Sequence, residues 1–127
     1  MDIELHPNFK ENNLIFLSYA SGNRESGGNT AIASAELLEN KLVNLKLLYK
    51  GEENTTRGQH FGSRIQIDND GYLYFTIGDR GNRDVNPQDL KKDGGKVYRI
   101  NIDGSIPDDN PFIGSDGVKK AIYSYGH

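Results

Sequence analysis

The sequence predicts an all-β protein of short antiparallel strands, and three observations carry that expectation. Gly, Asn and Asp together fill close to a third of the 127 positions, a turn-rich mixture that leaves no room for long helical periods. Short apolar runs recur throughout, several with period-two alternation. Asp-Gly turns recur between them, at Asp70-Gly71 and again at Asp103-Gly104. Strands paired in sequence around repeated turns read as four-stranded antiparallel units, the pattern of a β-propeller blade, with a β-sandwich as the main rival. About two blades fit within the chain.

Taken in order, Asp2–Leu5 begins directly in an apolar alternation. The turn residues Lys10-Glu11-Asn12-Asn13 precede a β-prone run, Leu14–Tyr19. The segment from Ala31 to Lys50 is contested. Ala31, Ala33, Ala35, Glu36, Leu37 and Leu38 favour helix by propensity, yet Val43, Leu45, Leu47 and Tyr49 alternate with period two. We read two strands around Glu39-Asn40-Lys41. Arg64–Asp68, the turn Asn69-Asp70-Gly71 and Tyr72–Ile77 form a hairpin. Lys96–Asn101 and Ala121–Tyr125 supply two further strands. Three polar, glycine-bearing stretches, Ser21–Asn29, Gly51–Gln59 and Gly78–Gly95, are expected as long loops, and long loops in a compact β protein are commonly functional. The chain starts straight in that alternation and stops at Gly126-His127 directly after the strand-like Ala121–Tyr125, so both ends read as cut, whereas domain ends are ordinarily polar and loosely held. A closed propeller has at least four blades. Residues 1–127 are therefore expected to form one incomplete propeller domain, a fragment.

Composition removes several function classes. There is no cysteine, hence no disulfide scaffold, Cys-ligated zinc or thiol nucleophile. A net charge of −3 without basic clusters argues against nucleic acid as a partner. No apolar run reaches the length of a membrane span, and the first residues lack a signal-peptide pattern.

Among the histidines, His6 lies in the turn-like His6-Pro7-Asn8-Phe9 and reads as structural. His60, in Gly58-Gln59-His60-Phe61-Gly62-Ser63-Arg64, stands where a loop meets a strand, a place from which an imidazole can project into a site and move a proton. Asp79, in Ile77-Gly78-Asp79-Arg80-Gly81, ends a strand. It can orient a histidine ring, or it can bind its own backbone in a turn. Asp68-Asn69-Asp70-Gly71 lacks the later ligands of a calcium loop and reads as a hairpin turn. There is no phosphate-binding glycine loop and no Gly-x-Ser-x-Gly elbow.

These segments, followed by Gln88-Asp89-Leu90, Gly95–Asn101, Asp103–Phe112 and Ile122–His127, resemble in order the glucose/sorbosone dehydrogenases, the soluble quinoprotein aldose dehydrogenases. The resemblance spans nearly the whole chain and about a third of a typical six-bladed family member. It implies oxidation of the anomeric hydroxyl of an aldose by hydride transfer to pyrroloquinoline quinone (PQQ), with calcium bound and an external electron acceptor. His60 matches the general base and touches the cofactor. Asp79 matches the aspartate that orients it, and Gln59 and Val85 match positions beside the sugar. The cofactor-gripping arginine and the calcium-holding carbonyls of the family match nothing here, so no metal residue is assigned. A periplasmic or secreted location follows from the resemblance too. Two rivals stand against this reading: a non-catalytic propeller that binds sugar or protein, and a propeller hydrolase using metal-bound water.

Overall fold

The computed structural model describes all residues, 1–127, and forms two four-stranded antiparallel sheets. The first contains β1 (Asp2–Leu5), β2 (Leu14–Asn23), β3 (Gly27–Leu38) and β4 (Lys41–Lys50) in that spatial order. The second contains β5 (Ile65–Ile67), β6 (Tyr72–Ile77), β7 (Lys96–Asn101) and β8 (Ile122–Tyr125), again in chain order. Each sheet is a meander, as a propeller blade requires. One helical turn, α1 (Phe9–Asn12), stands where a plain turn was expected, and Asn13 closes it at φ 55°.

The contested segment resolves as a hairpin. Ala31, Ala33 and Ala35 are buried within β3, where pairing with β2 on one side and β4 on the other overrides their helix propensity. Leu38 pairs with Lys41, and Glu39 and Asn40 between them take φ 49° and 63°. Positive φ at both central residues is what a type I′ turn demands, and it matches the twist of the flanking strands.

One expectation is corrected. Ser21–Asn29 is not a long loop, because β2 and β3 pair through Ser21↔Asn29, Gly22↔Gly28 and Asn23↔Gly27. The turn that remains is Arg24–Ser26, capped by the Asn23 side chain, which accepts from the Glu25 and Ser26 amides at 2.8 and 2.7 Å. The glycines hid the strand because they carry no β-branched or apolar signal. They are needed there: a Cβ on Gly22 would lie 2.2 Å from the Gly27 carbonyl oxygen.

The core lies between the sheets. Phe16, Ile32 and Leu48 of the first pack on Leu73, Phe75, Ile77, Tyr98 and Ile100 of the second. Phe75 stacks on Tyr98 at 4.8 Å, and Tyr49 tilts against both rings. Beside them lies the fully buried Asp93, which accepts from the Tyr49 and Tyr98 hydroxyls at 2.6 and 2.8 Å and from the Glu52 amide at 2.9 Å. Lys119 completes its neutralisation at 3.2 Å. A buried carboxylate is tolerable only when so surrounded. The network fastens the segment leaving β4 to the loop entering β7. The opposite face of the first sheet carries exposed Ile3, Leu5, Leu45 and Leu47.

Candidate active site

The segment 51–64, crossing from the first sheet to the second, is held by side chains of the first. Thr30 Oγ1 donates to the Phe61 carbonyl at 2.7 Å, and Ser18 Oγ donates to the Ser63 carbonyl at 2.6 Å. These contacts fix the backbone on the C-terminal side of His60. His60 itself has φ 54°, in the left-handed region that costs a non-glycine residue about 1–2 kcal/mol. The end of β6 runs directly against it. A Cβ on Gly78 would lie 2.3 Å from the His60 carbonyl oxygen, so glycine is required by close approach. Gly78→Ala is expected to cost about 1–3 kcal/mol of stability by overpacking, read as a lowered Tm, and to displace His60.

One residue further on, Asp79 Oδ1 meets His60 Nδ1 at 2.6 Å and accepts from the Gly81 amide at 2.8 Å. Both readings of Asp79 hold at once: it makes a local turn and it partners a histidine. The His60 bond, then the Gly81 amide, hold its carboxyl below the usual range despite the opposing effect of burial. It is therefore ionised at neutral pH and can only accept, which places the proton on Nδ1 and leaves the Nε2 lone pair free. The His60 side chain is 56% exposed and that of Asp79 19%, so the ring stands open to solvent with its partner behind it.

The pair faces a cleft of about 350 Å³ whose lining includes Arg57, Gln59, Asn82 and Arg83 and no hydrophobic residue. Gln59 is thus brought to His60 and Asp79. Val85 is not: it lies on the 78–95 loop outside that lining, 42% exposed. His6 Nδ1 accepts from the Asn8 amide and pairs with Asn12, a structural role. Asp68 caps the hairpin turn, accepting from the Asp70 and Tyr72 amides.

A model of the family described as "Glucose / Sorbosone dehydrogenase" matches residues 1–127. The chain belongs to this family. Aldose sugar dehydrogenase YliI of Escherichia coli (strain K12) is 34% identical over 128 residues, covering 99% of this chain and 34% of that protein. Quinoprotein glucose dehydrogenase B of Acinetobacter calcoaceticus is 29% identical, over 96% of this chain and 30% of its own length. Among solved structures, the soluble aldose sugar dehydrogenase of E. coli, in its apo form, superposes with a TM-score of 0.91 at 35% identity, covering 98% of this chain and 36% of that one. The PQQ-bound aldose sugar dehydrogenase of Streptomyces coelicolor gives 0.79 at 27% identity, over 98% and 35%. The chain thus spans about a third of the length of these family members, and its two sheets are two successive blades of the propeller.

Three residues of this family chain escaped the sequence reading. Arg80 is buried, and its guanidinium donates to the Gln59, Arg57 and Gly28 carbonyls. Asn86 is buried too and donates from Nδ2 to the Asp79 carbonyl at 3.0 Å. Lys96, at the start of β7, donates to the Asn86 and Gly94 carbonyls, and burial lowers its pKa. Together they brace the 78–95 loop behind Asp79. Lys96 begins an alternating strand, a position at which a buried amine has no local sequence signal.

Proposed function

We propose that the complete protein carrying this chain oxidises aldose sugars at the anomeric hydroxyl, with His60 as general base. One observation carries the reading: a histidine ring backed by an ionised aspartate and open to a polar cleft, in a chain of this family. An alcohol is a weak acid, so loss of its hydride is easier when a fixed base removes the proton in the same transition state. His60 Nε2 takes that proton, and Asp79 steadies the imidazolium through Nδ1. Gln59 lines the cleft beside them and is assigned to the sugar hydroxyls. Val85 is assigned to the substrate through the resemblance alone.

The donors Arg57, Gln59, Asn82 and Arg83 suit a polyol or a polycarboxylate, so the lining fits both a sugar and PQQ, with His60 in contact with each. When bound, PQQ supplies the two-electron acceptor for the anomeric hydride. Calcium is a different matter. No group of three or more His, Asp or Glu side chains converges in this chain, and Asp79 is engaged by His60 and Gly81. No residue here is assigned to it, and its ligands belong elsewhere in this reading. The external acceptor and a periplasmic or secreted location rest on the resemblance. A sugar-binding module would need the lining donors but not a carboxylate behind the histidine, which favours catalysis.

The deciding assay is dye reduction with a panel of aldoses, with and without added PQQ and calcium. The complete protein is expected to turn over only with PQQ. The 127-residue chain alone is expected to show neither turnover nor tight PQQ binding by titration calorimetry, because it leaves an apolar sheet face in water and provides one part of a cofactor site. Absence of PQQ-dependent turnover by the complete protein overturns the assignment.

A further inference from the structure

We propose that Arg80 is a positioning residue for His60, holding the main chain before the histidine and the Phe61 side chain after it while its neighbour Asp79 holds the imidazole; this rests on the dehydrogenase reading of the site. The Arg80 side chain reaches the peptide just before His60 through the Gln59 carbonyl and the turn before that through the Arg57 carbonyl, at 2.8 Å for the latter. Just after His60, the Phe61 ring lies under the guanidinium at 3.6 Å from its centroid. A third bond, to Gly28 O at 3.1 Å, anchors the clamp to the β2–β3 hairpin. Two consecutive residues therefore address one histidine, Asp79 its imidazole and Arg80 its main chain.

The chemistry is specific to arginine. Only a planar fork with several N–H groups can bind diverging carbonyls while its face rests on an aromatic ring, and lysine offers a single compact charge. The cation is 1% exposed, and its hydrogen-bond partners are carbonyls rather than a carboxylate, an expensive arrangement that burial registers as a lowered pKa. Its Nε is the one buried side-chain polar atom without a partner, a further cost. A group chosen for stability alone has better options. What the clamp secures is a left-handed backbone at His60, which persists only where its surroundings over-determine it. Arg80 itself adopts φ 56° to make the reach.

The test is Arg80→Lys in the complete protein, with PQQ and an aldose for kinetics and without cofactor for proton NMR of the His60 Nδ1–H. The expected result is a kcat about 10–100-fold lower with KM within about threefold, as for a catalytic group misplaced by the order of 1 Å. The His60 Nδ1 proton resonance should shift or broaden away while Tm stays within a few degrees. Native kcat per folded molecule with an unchanged resonance overturns the proposal, as does a loss of activity that only tracks the folded fraction. If Arg80→Lys does not fold, Phe61→Leu removes the ring but none of the hydrogen bonds of Arg80, and a smaller loss of kcat with the same spectral response is expected. An unaltered resonance and kcat in that variant overturn the proposal equally. Should the wild-type protein oxidise no aldose, the resonance comparison still decides the role of Arg80, so the two failures are separable.

Discussion

His60→Ala in the complete protein is expected to lower kcat by about 10²–10⁴ while PQQ still binds, the usual worth of a positioned acid–base group. The structure supplies the reason for expecting the full range. His60 is held by Asp79 at Nδ1, its main chain is confined by Gly78 and by the contacts of Thr30 and Arg80, and its Nε2 alone is left for chemistry. Removing the ring leaves an enlarged polar cleft that water can occupy, and water is a far weaker and unfixed base. Alanine tolerates the left-handed position somewhat less well than histidine, a small cost beside the contacts that hold this backbone, so fold and cofactor site should survive. Cofactor occupancy is checked by absorbance before turnover is compared. Wild-type-like turnover at full occupancy removes His60 from the mechanism.

Much of this arrangement was legible in the sequence, for identifiable reasons. The strands Tyr72–Ile77 and Lys96–Asn101 carry period-two patterns and an Asp-Gly turn, signals that survive without tertiary context. The β3–β4 hairpin was legible from the alternation in β4 and the Asn40 turn, despite the alanines. The Ser21–Asn29 strands were not, since glycine and asparagine on a paired backbone look like loop. At the site, His60 and Asp79 were found through their places at strand ends and through the family resemblance, and Gln59 joins them in the cleft. Val85 does not, because the 78–95 loop carries it outward between turns closed at Asn82 and Asp89. Arg80 was missed because Gly-Asp-Arg-Gly reads as a solvated turn, and nothing local says that a guanidinium will fold inward. Only the carbonyls of Gln59, Arg57 and Gly28, 21, 23 and 52 residues away in sequence, define its place.

Asp79→Asn should separate orientation from mere proximity. The carboxylate accepts from His60 Nδ1 and from the Gly81 amide, and an amide oxygen can still do the second. What asparagine loses is the charge. Without it the imidazolium formed during turnover is less stabilised, and the amide NH₂ can turn toward Nδ1, which drives the ring into the tautomer whose Nε2 carries the proton and cannot accept another. A kcat loss of about 10²-fold or more is expected. The Asp79 carboxyl lies below its usual range chiefly because His60 bonds to it, so the anion is present across the neutral range and its loss is what the variant tests. The tautomer is the readout: the His60 ring proton, seen by NMR on Nδ1 in the wild type, should move to Nε2 in Asp79→Asn. A proton that stays on Nδ1 contradicts the pairing even if activity falls, since a structural lesion at Asp79 would lower kcat without moving it.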